Sequence, residues 1–341
     1  MNTYDPLNAL LIFIALSILI YFLFRPAKGW FWIIKNNYRT NEKMVIEDIL
    51  KLLFHNENSG KILNTNNLTQ ILNFNNSLII KSIEKMTANN FILLDGEQLK
   101  LKPLGREYAL RIIRMHRLWE KFLAEKTGYD KSEWHERAEQ KEHELNTEET
   151  NLLASKLGNP LFDPHGDPIP SKTGKMAIIN GVALSTLPIN TVGEIIHIED
   201  EPDIIYKQIL AENIHIGSHI RVTENNNTRV SFFSEGEEFK LAPIVAGNLT
   251  ISILKKDIIN EGNIARLSSL KKTEKAIIIG ISKESRGENR RRLLDLGFVK
   301  GATVSIDLLN PLGEPNAYLI KGTAIALRNN QASKILIKKI N

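Results

Sequence analysis

An uncharged apolar run from Leu7 to Phe24 constrains this chain more than any other feature. It consists mostly of Leu, Ile, Phe and Ala, and it has about the minimum length of a helix that spans a bilayer. Five cationic residues follow it between residues 25 and 43, whereas Asp5 is the only charged side chain before it. By the positive-inside rule, the bulk of the chain is therefore cytoplasmic. The pattern favours an uncleaved single-pass anchor in the cell membrane over a signal peptide or a buried soluble helix.

The rest of the 341 residues is long enough for several small domains, each with its own core. A net charge of +5 and a pI near 9.1 permit a nucleic acid or an anionic membrane as partner without requiring one. Because the chain has no cysteine, disulfides and thiolate metal sites are excluded. No Walker loop, HExxH motif or Ser/His/Asp arrangement occurs, so the sequence does not indicate an enzyme.

Residues 41–108 have the element order of a winged helix-turn-helix. Apolar residues at helical spacing predict three helices between residues 41 and 90, with Asn75 near the cap of the third. Two short strands around a turn at Asp95-Gly96 follow. This order predicts a DNA-binding module.

The third helix, over residues 77–86, is the predicted recognition helix. Its polar side chains would face base edges, and lysines of the helix and the hairpin would contact phosphates. Leu78 and Ile80 are apolar for such a face, so contact with another protein is the alternative. The residues predicted to contact double-stranded DNA are Asn76, Ser77, Lys81, Lys85, Lys100 and Lys102.

Two His–carboxylate groups occur on consecutive predicted helices. His116 and Glu120 are four residues apart and share one helix face, while Glu139, Glu142 and His143, which follow His135, share another. Packed together, such faces form a cage of imidazole nitrogens and carboxylate oxygens that suits Mn²⁺, Fe²⁺ or Zn²⁺. Two solvated helix faces are the alternative interpretation.

A segment rich in Pro and Gly, residues 157–170, separates the helices from a β-rich region with a weak internal repeat. Residues 191–198 resemble residues 275–281, and residues 236–241 resemble residues 322–327, at a nearly constant offset. The repeat predicts two copies of one small β-barrel.

Four ordered motifs, within residues 104–106, 116–120, 139–143 and 163–170, resemble the iron- and manganese-responsive repressors of the DtxR/MntR type. This resemblance covers roughly residues 41–256. It implies a winged helix-turn-helix, a helical metal-binding and dimerisation domain, and an SH3-like barrel.

The C-terminal segment, from about residue 264 onward, resembles FeoA domains, which are small SH3-like barrels associated with ferrous iron transport. The matching residues are Arg290 to Gly297 and Asn310 to Pro315. The overall prediction is a multidomain α+β protein with five parts. They are a transmembrane anchor and basic linker (1–40), a winged helix-turn-helix (41–108), an all-α metal-binding and dimerisation domain (109–172), an SH3-like barrel (180–256) and a FeoA-like SH3 barrel (264–341).

The resemblance implies two metal sites, with Mn²⁺ or Fe²⁺ as the physiological ion and Zn²⁺ able to bind in vitro. Lys51 lies one turn after Asp48, where manganese-type members often have a carboxylate, and a cation there opposes a second nearby ion. In iron-type members the barrel can supply extra ligands, and Glu199, Asp200 and Glu201 lie in the corresponding region, but a solvated acidic loop is the favoured interpretation. The implied primary ligands are Asp48, Glu139, Glu142 and His143, with His116 shared or nearby, and the ancillary ligands are His116, Glu120 and His135.

These observations predict a membrane-anchored homodimeric repressor that senses Mn²⁺ or Fe²⁺ and controls metal-uptake genes. The alternative is a cytoplasmic metal-sensing subunit of a metal transporter that acts through protein contacts. The apolar run and the FeoA-like segment favour this alternative. So does the segment around residues 25–48, which resembles the junction in metal ABC permeases with a fused regulator.

Overall fold

The computed structural model describes residues 6–25, 42–254 and 264–340. The chain forms two compact units, residues 1–112 and 113–341. The first helix, α1 (Pro6–Phe24), contains one segment, Leu7–Phe24, that is long and apolar enough to cross a membrane, and its side chains are largely exposed. Most of the predicted basic linker, residues 26–41, lies outside the described residues.

The first unit continues with three helices and a three-stranded antiparallel sheet in the order β1-β3-β2. Asn64 caps one helix in a reciprocal box with Asn67, and the Asn75 side chain accepts a hydrogen bond from the Ser77 backbone at the start of the next. Ile49, on the first of these helices, is fully buried in the apolar interior. The elements are α2 (Glu42–Asn58), β1 (Leu63–Asn64), α3 (Thr65–Ile71), α4 (Asn76–Ala88), β2 (Ile92–Asp95) and β3 (Gln98–Leu101).

Three helices follow, and the first two carry the predicted metal ligands between residues 116 and 142, with His143 directly after the second. They are α5 (Pro103–Lys126), α6 (Lys131–Glu142) and α7 (Thr147–Lys156). Asp130 and Asn146 form capping boxes at the starts of α6 and α7, which explains why short polar sequences begin helices there.

Two six-stranded antiparallel sheets follow, each around its own apolar cluster. Their strand orders are β4-β9-β5-β6-β7-β8 and β10-β15-β11-β12-β13-β14, so both have the same topology, as the internal repeat predicts. The edge strands of neither sheet pair with each other in the described residues, so the predicted closed SH3-like barrels are not confirmed.

The first β-rich part runs from residue 182 to residue 253. Its elements are β4 (Val182–Ala183), a 3₁₀ turn (Leu184–Thr186), β5 (Val192–Ile198), α8 (Asp203–Ala211), β6 (His219–Asn225), β7 (Val230–Ser234), β8 (Glu237–Leu241), α9 (Pro243–Ala246) and β9 (Leu249–Ile253).

The second β-rich part runs from residue 264 to residue 340. Its elements are β10 (Ile264–Arg266), a 3₁₀ turn (Leu267–Ser269), β11 (Lys275–Ile281), α10 (Gly287–Asp295), β12 (Thr303–Leu308), β13 (Asn316–Ile320), β14 (Thr323–Leu327), α11 (Asn329–Ala332) and β15 (Ile335–Ile340).

Candidate metal centre

Helices α5 and α6 bring the three predicted ancillary ligands together. The rings of His116 and His135 pack edge to face with their centroids 4.9 Å apart. Glu120 Oε1 lies 3.1 Å from His116 Nε2 and 3.4 Å from His135 Nδ1. Because His116 and Glu120 are buried while His135 is partly exposed, the cluster has one side accessible to solvent.

Two further residues that the sequence analysis did not assign as ligands join this cluster. His165 Nε2 lies 3.8 Å from Glu120 Oε1, and Asp200 Oδ2 lies 3.8 Å from His135 Nδ1. The interpretation of residues 199–201 as a solvated loop is wrong for Asp200, whose side chain is only 20% exposed. Its position follows from β5, because the Ile198 N–H donates a hydrogen bond to the His165 carbonyl and holds the strand end beside His165.

The loop that carries His165 is held in place by its own side chains. Asp163 Oδ1 accepts hydrogen bonds from the backbone N–H groups of His165, at 2.8 Å, and Asp167, at 2.9 Å. Gly166 has a positive φ of 90°, and a Cβ there would lie 2.2 Å from the Ile196 carbonyl oxygen. The motif at residues 163–170 was the available signal for this site, since it placed a histidine in a tightly turned loop.

Three atoms at the centre of the cluster are buried without a hydrogen-bond partner among the described residues: Glu120 Oε1, His135 Nδ1 and His165 Nε2. Such unpaired buried groups are rare in proteins unless an ion or water satisfies them. Two ligands bound to one cation at about 2.1 Å lie roughly 3.0–3.4 Å apart in octahedral or tetrahedral geometry. The observed separations of 3.1–3.8 Å overlap this range, so the residues fit a divalent cation.

The electrostatics of the cluster also favour a cation. Burial alone would raise the pKa of the Glu120 carboxyl, but the charge of His116 and contacts with both His116 and His135 hold it well below its usual value. Burial would lower the pKa of His135, but interactions with Glu120 and Glu139 raise it to about 10. Near neutral pH, His135 is therefore protonated, and its positive charge takes the place of the charge that a metal would supply.

The second predicted set lies at the end of α6. Glu142 is buried, with Oε2 2.5 Å from His116 Nδ1 and Oε1 3.7 Å from His143 Nε2. Glu139 is 52% exposed, and its Oε1 lies 3.4 Å from His135 Nε2. Asp48 is half-buried on α2 in the first unit, and its predicted approach to Glu142 and His143 stays a prediction.

The residues predicted to contact DNA lie on α4 and at the hairpin, and all are exposed or half-buried. Several form local ion pairs or hydrogen bonds: Lys81 and Lys85 lie 3.8 and 3.4 Å from Glu42. The Leu78 side chain is half-buried, but Ile80 is 54% exposed. DNA contact by Asn76, Ser77, Lys81, Lys85, Lys100 and Lys102 remains a prediction.

Two segments match known protein families. Residues 102–171 match the iron-dependent repressor metal-binding and dimerisation domain, and residues 265–339 match the FeoA domain. This chain is a relative of the metal-dependent repressors. The resemblance inferred from its motifs is thus confirmed over these two segments.

Similar proteins include both repressors and a transport protein. The diphtheria toxin repressor of Corynebacterium diphtheriae is 23% identical over 52% of this chain and 82% of its own length. A probable metal transport system membrane protein of Chlamydia trachomatis serovar D is 38% identical, over 23% of this chain and only 17% of its own length. A solved manganese-dependent transcriptional repressor in complex with manganese is 26% identical, with a TM-score of 0.54, and the match covers 61% of this chain and 99% of that one. The names of these similar proteins describe repressors and a transport protein, not enzymes. This agrees with the sequence analysis, which does not indicate an enzyme.

Proposed function

We propose that this relative of the metal-dependent repressors is a membrane-anchored, homodimeric repressor of metal-uptake genes that binds double-stranded DNA when loaded with Mn²⁺ or Fe²⁺. The observation that carries the proposal is the convergence of three buried ligand atoms, on Glu120, His135 and His165, that have no hydrogen-bond partner among the described residues. Imidazole and carboxylate ligands without a thiolate suit Mn²⁺ and Fe²⁺, and Zn²⁺ would bind them in vitro.

His116 connects the two predicted ligand sets. A neutral imidazole has one nitrogen that accepts and one that donates. If Nε2, which faces Glu120, holds the metal, Nδ1–H donates to Glu142, 2.5 Å away. A carboxylate in this position fixes the ring orientation and raises the basicity of the ligand nitrogen. A metal ion bound to the ancillary ligands would therefore change the charge on Glu142, which is itself a predicted ligand of the primary site.

The metal supplies positive charge that offsets the repulsion and desolvation of the clustered carboxylates. His165 comes from the loop after α7 and Asp200 from the segment after β5, so both would hold the cation together with α5 and α6. We propose that Asp48 completes the primary set with Glu139, Glu142 and His143, and so joins the winged helix to the metal. Binding would then favour the conformation that contacts DNA.

DNA binding by the full chain in detergent micelles is the decisive measurement. Fluorescence anisotropy at about 0.15 M salt compares DNA from upstream of its own gene with a shuffled duplex of equal length. We expect sequence-specific binding with Mn²⁺, or with Fe²⁺ under anaerobic conditions, and weak binding to both duplexes without metal. Metal binding without sequence-specific DNA binding would contradict the repressor function.

A matched pair of variants tests whether the metal response of DNA binding depends on the side chains around Glu120. Glu120→Gln removes the central carboxylate charge while preserving side-chain size, and it should abolish the metal response. Glu136→Gln makes the same change at an exposed position on α6 and should leave the response intact.

A transporter-associated metal sensor is the second candidate. It is supported by the FeoA domain, by the chlamydial relative named as a transport protein, and by exposed apolar side chains on the winged-helix segment. Ile80, Leu93 and Leu94 are 54%, 46% and 43% exposed there. Co-purification of a metal permease with the full chain from its own membranes, lost on Ile80→Ser with Leu93→Ser, would favour this function. Unchanged metal-dependent DNA binding by that variant would favour the repressor.

A further inference from the structure

A cleft of about 700 Å³ lies beside the candidate metal centre, within the second unit. Its walls come from the C-terminal end of α5, the loop after α7, strand β5 and the start of α10. This volume lies in the range of sites that enclose small organic molecules. The cleft therefore has room for a ligand much larger than a metal ion.

Positive charge dominates the lining. Three acidic side chains line the cleft, and one of them, Glu125, is paired with Lys121 at 3.3 Å. A second, Asp163, lies 3.8 Å from Arg117 and accepts hydrogen bonds from two backbone N–H groups. Arg286 forms no ion pair with a carboxylate in the described parts of the chain. The cationic lining residues are Lys121, Lys126, Lys283, Arg286, Arg290 and Arg291.

The start of α10 opens at this cleft. The helix has nine residues, and no side chain caps its N-terminus at Arg286. Uncapped N–H groups and the helix dipole attract anions. Ser285, two residues before Gly287, is only 2% exposed and lines the cleft, yet its Oγ has no hydrogen-bond partner among the described residues. A buried hydroxyl without a hydrogen-bond partner, an uncapped helix start and the Arg286 guanidinium thus meet in one place. The guanidinium Nε donates to the Lys283 carbonyl at 3.4 Å and has no carboxylate partner among the described residues.

Part of the lining is apolar. Ile178, Ile179, Ile195 and Ile216 line the cleft together with Phe162. A bare anion would leave this surface without a partner, whereas an organic group attached to the anion would cover it.

We propose that this cleft binds a phosphate-bearing small molecule of about nucleotide size. The phosphate contacts Ser285, Arg286 and the start of α10, and the organic part packs on the isoleucine wall. Phosphate suits this end because helix N-termini and guanidinium groups are its usual protein partners. The cleft is separate from the candidate metal centre, although Lys121 directly follows Glu120 and Pro164 directly precedes His165.

Isothermal titration calorimetry on the full chain in detergent micelles tests the proposal, with adenosine 5′-monophosphate as the probe. Inorganic phosphate and adenosine serve as the two partial probes. Metal is removed by resin beforehand, so metal-free protein isolates this site from the proposed metal response. We expect saturable binding of the monophosphate, weaker binding of inorganic phosphate and the weakest binding of adenosine.

Two variants remove the phosphate contacts one at a time. Ser285→Ala and Arg286→Gln should each raise the dissociation constant of the monophosphate at least about tenfold, as expected for a lost hydrogen bond to a charged group. Arg292→Gln makes the same change as the second variant at an exposed position of α10 outside the cleft, and it should leave binding unchanged. Unfolding midpoints of all variants establish that each one folds.

Several outcomes would overturn the proposal. They are no saturable monophosphate binding below about 10 mM, equal affinity for phosphate and the monophosphate, or a folded Arg286→Gln variant that binds as tightly as the natural chain. None of these outcomes bears on metal or DNA binding, so they leave the proposed function to its own test.

Discussion

Glu120 Oε1 and His165 Nε2 face each other across 3.8 Å, and neither atom has a hydrogen-bond partner among the described residues. Both side chains are almost fully buried. An unsatisfied buried polar group costs about 1–3 kcal/mol, and more if it is charged. A cation held between the two atoms would offset this cost, so the pair marks a binding site within the otherwise packed interior.

Replacement of His165 tests this relationship directly. We expect His165→Ala to raise the Mn²⁺ dissociation constant of the full chain at least about tenfold, because ligand and supporting groups at metal sites typically contribute this much. Equilibrium dialysis of metal-free protein measures the effect. His219→Ala, at an exposed position on β6, is the matched control and should bind as the natural chain does. Equal affinities of the two variants would remove His165 from the site.

Metal binding should release a proton from His135. Its pKa of about 10 means that the ring is protonated at pH 8, whereas an ordinary histidine is neutral there. Because a metal ligates only the neutral ring, Mn²⁺ affinity should increase as pH rises toward 10. At pH 8, we expect His135→Gln to release about one proton fewer per Mn²⁺ than the natural chain. Titration in weakly buffered solution with a pH indicator counts the protons, and equal counts would contradict the assignment.

The same protonation affects the metal-free fold with a defined sign. The pKa of His135 is about 10 in the folded chain, above the ordinary histidine value of 6.5. Its stabilising contribution is therefore fully present below pH 6.5 and is lost as the pH rises through about 10. Urea unfolding of the metal-free chain should show a smaller loss of stability over this interval in His135→Gln.

The sequence predicted the part of the site that depends on local spacing. His116 and Glu120 share a helix face by their four-residue separation, which the sequence shows directly, and the family resemblance adds His135 on the next helix. His165 and Asp200 join through tertiary contacts: a turned loop and a strand end meet at the hydrogen bond from the Ile198 N–H. No helical or strand period encodes such a meeting, which explains why sequence analysis missed both residues.

For the fold, too, the sequence predicts features that depend on neighbouring residues better than it predicts pairing between distant strands. The Asn75 cap and the glycine turn at Gly96 lie near the element ends that the sequence predicts. The internal repeat also anticipates that both sheets share one strand order. Closure of a sheet depends on pairing between its edge strands, which short-range patterns do not specify, and the predicted barrels are open sheets in the described residues.

The tight turn at Gly166, which packs against β5, should be sensitive to a single methyl group. Gly166→Ala would place a Cβ 2.2 Å from the Ile196 carbonyl oxygen, so the loop that carries His165 must shift. Gly158→Ala is the matched control, because Gly158 also has a positive φ, 77°, but has open space around its Cβ position. We expect the control to cost about 1 kcal/mol of stability and to retain Mn²⁺ affinity. Gly166→Ala should lose more stability and bind Mn²⁺ more weakly, and equal effects would contradict the close approach.

A partly buried hydrogen bond in the first unit should contribute measurably to stability. The Tyr108 hydroxyl donates to Glu47 Oε1 at 2.6 Å, and Glu47 is 1% exposed. We expect Tyr108→Phe to lower the free energy of unfolding by about 1–3 kcal/mol, the usual range for a hydrogen bond to a charged group. Tyr129→Phe, at a residue 44% exposed, should change it by less than about 0.5 kcal/mol. Equal urea midpoints for both variants would contradict the importance of this contact.

The proposed membrane anchor has little surplus of apolar length, so a small number of charges should remove it. Each Leu, Ile or Phe of the span contributes only about 0.3–0.6 kcal/mol to insertion, whereas an Asp near the centre costs about 2.5–3.5 kcal/mol. The combined Ile14→Asp and Leu16→Asp substitutions lie in the middle of Leu7–Phe24 and should move the chain from the carbonate-washed membrane pellet to the supernatant. Leu7→Asp, at the edge of the span, should remain in the pellet, because a charge there reaches the headgroup region. If the central double variant stays in the pellet as the natural chain does, α1 is not the anchor and a membrane-bound partner holds the protein.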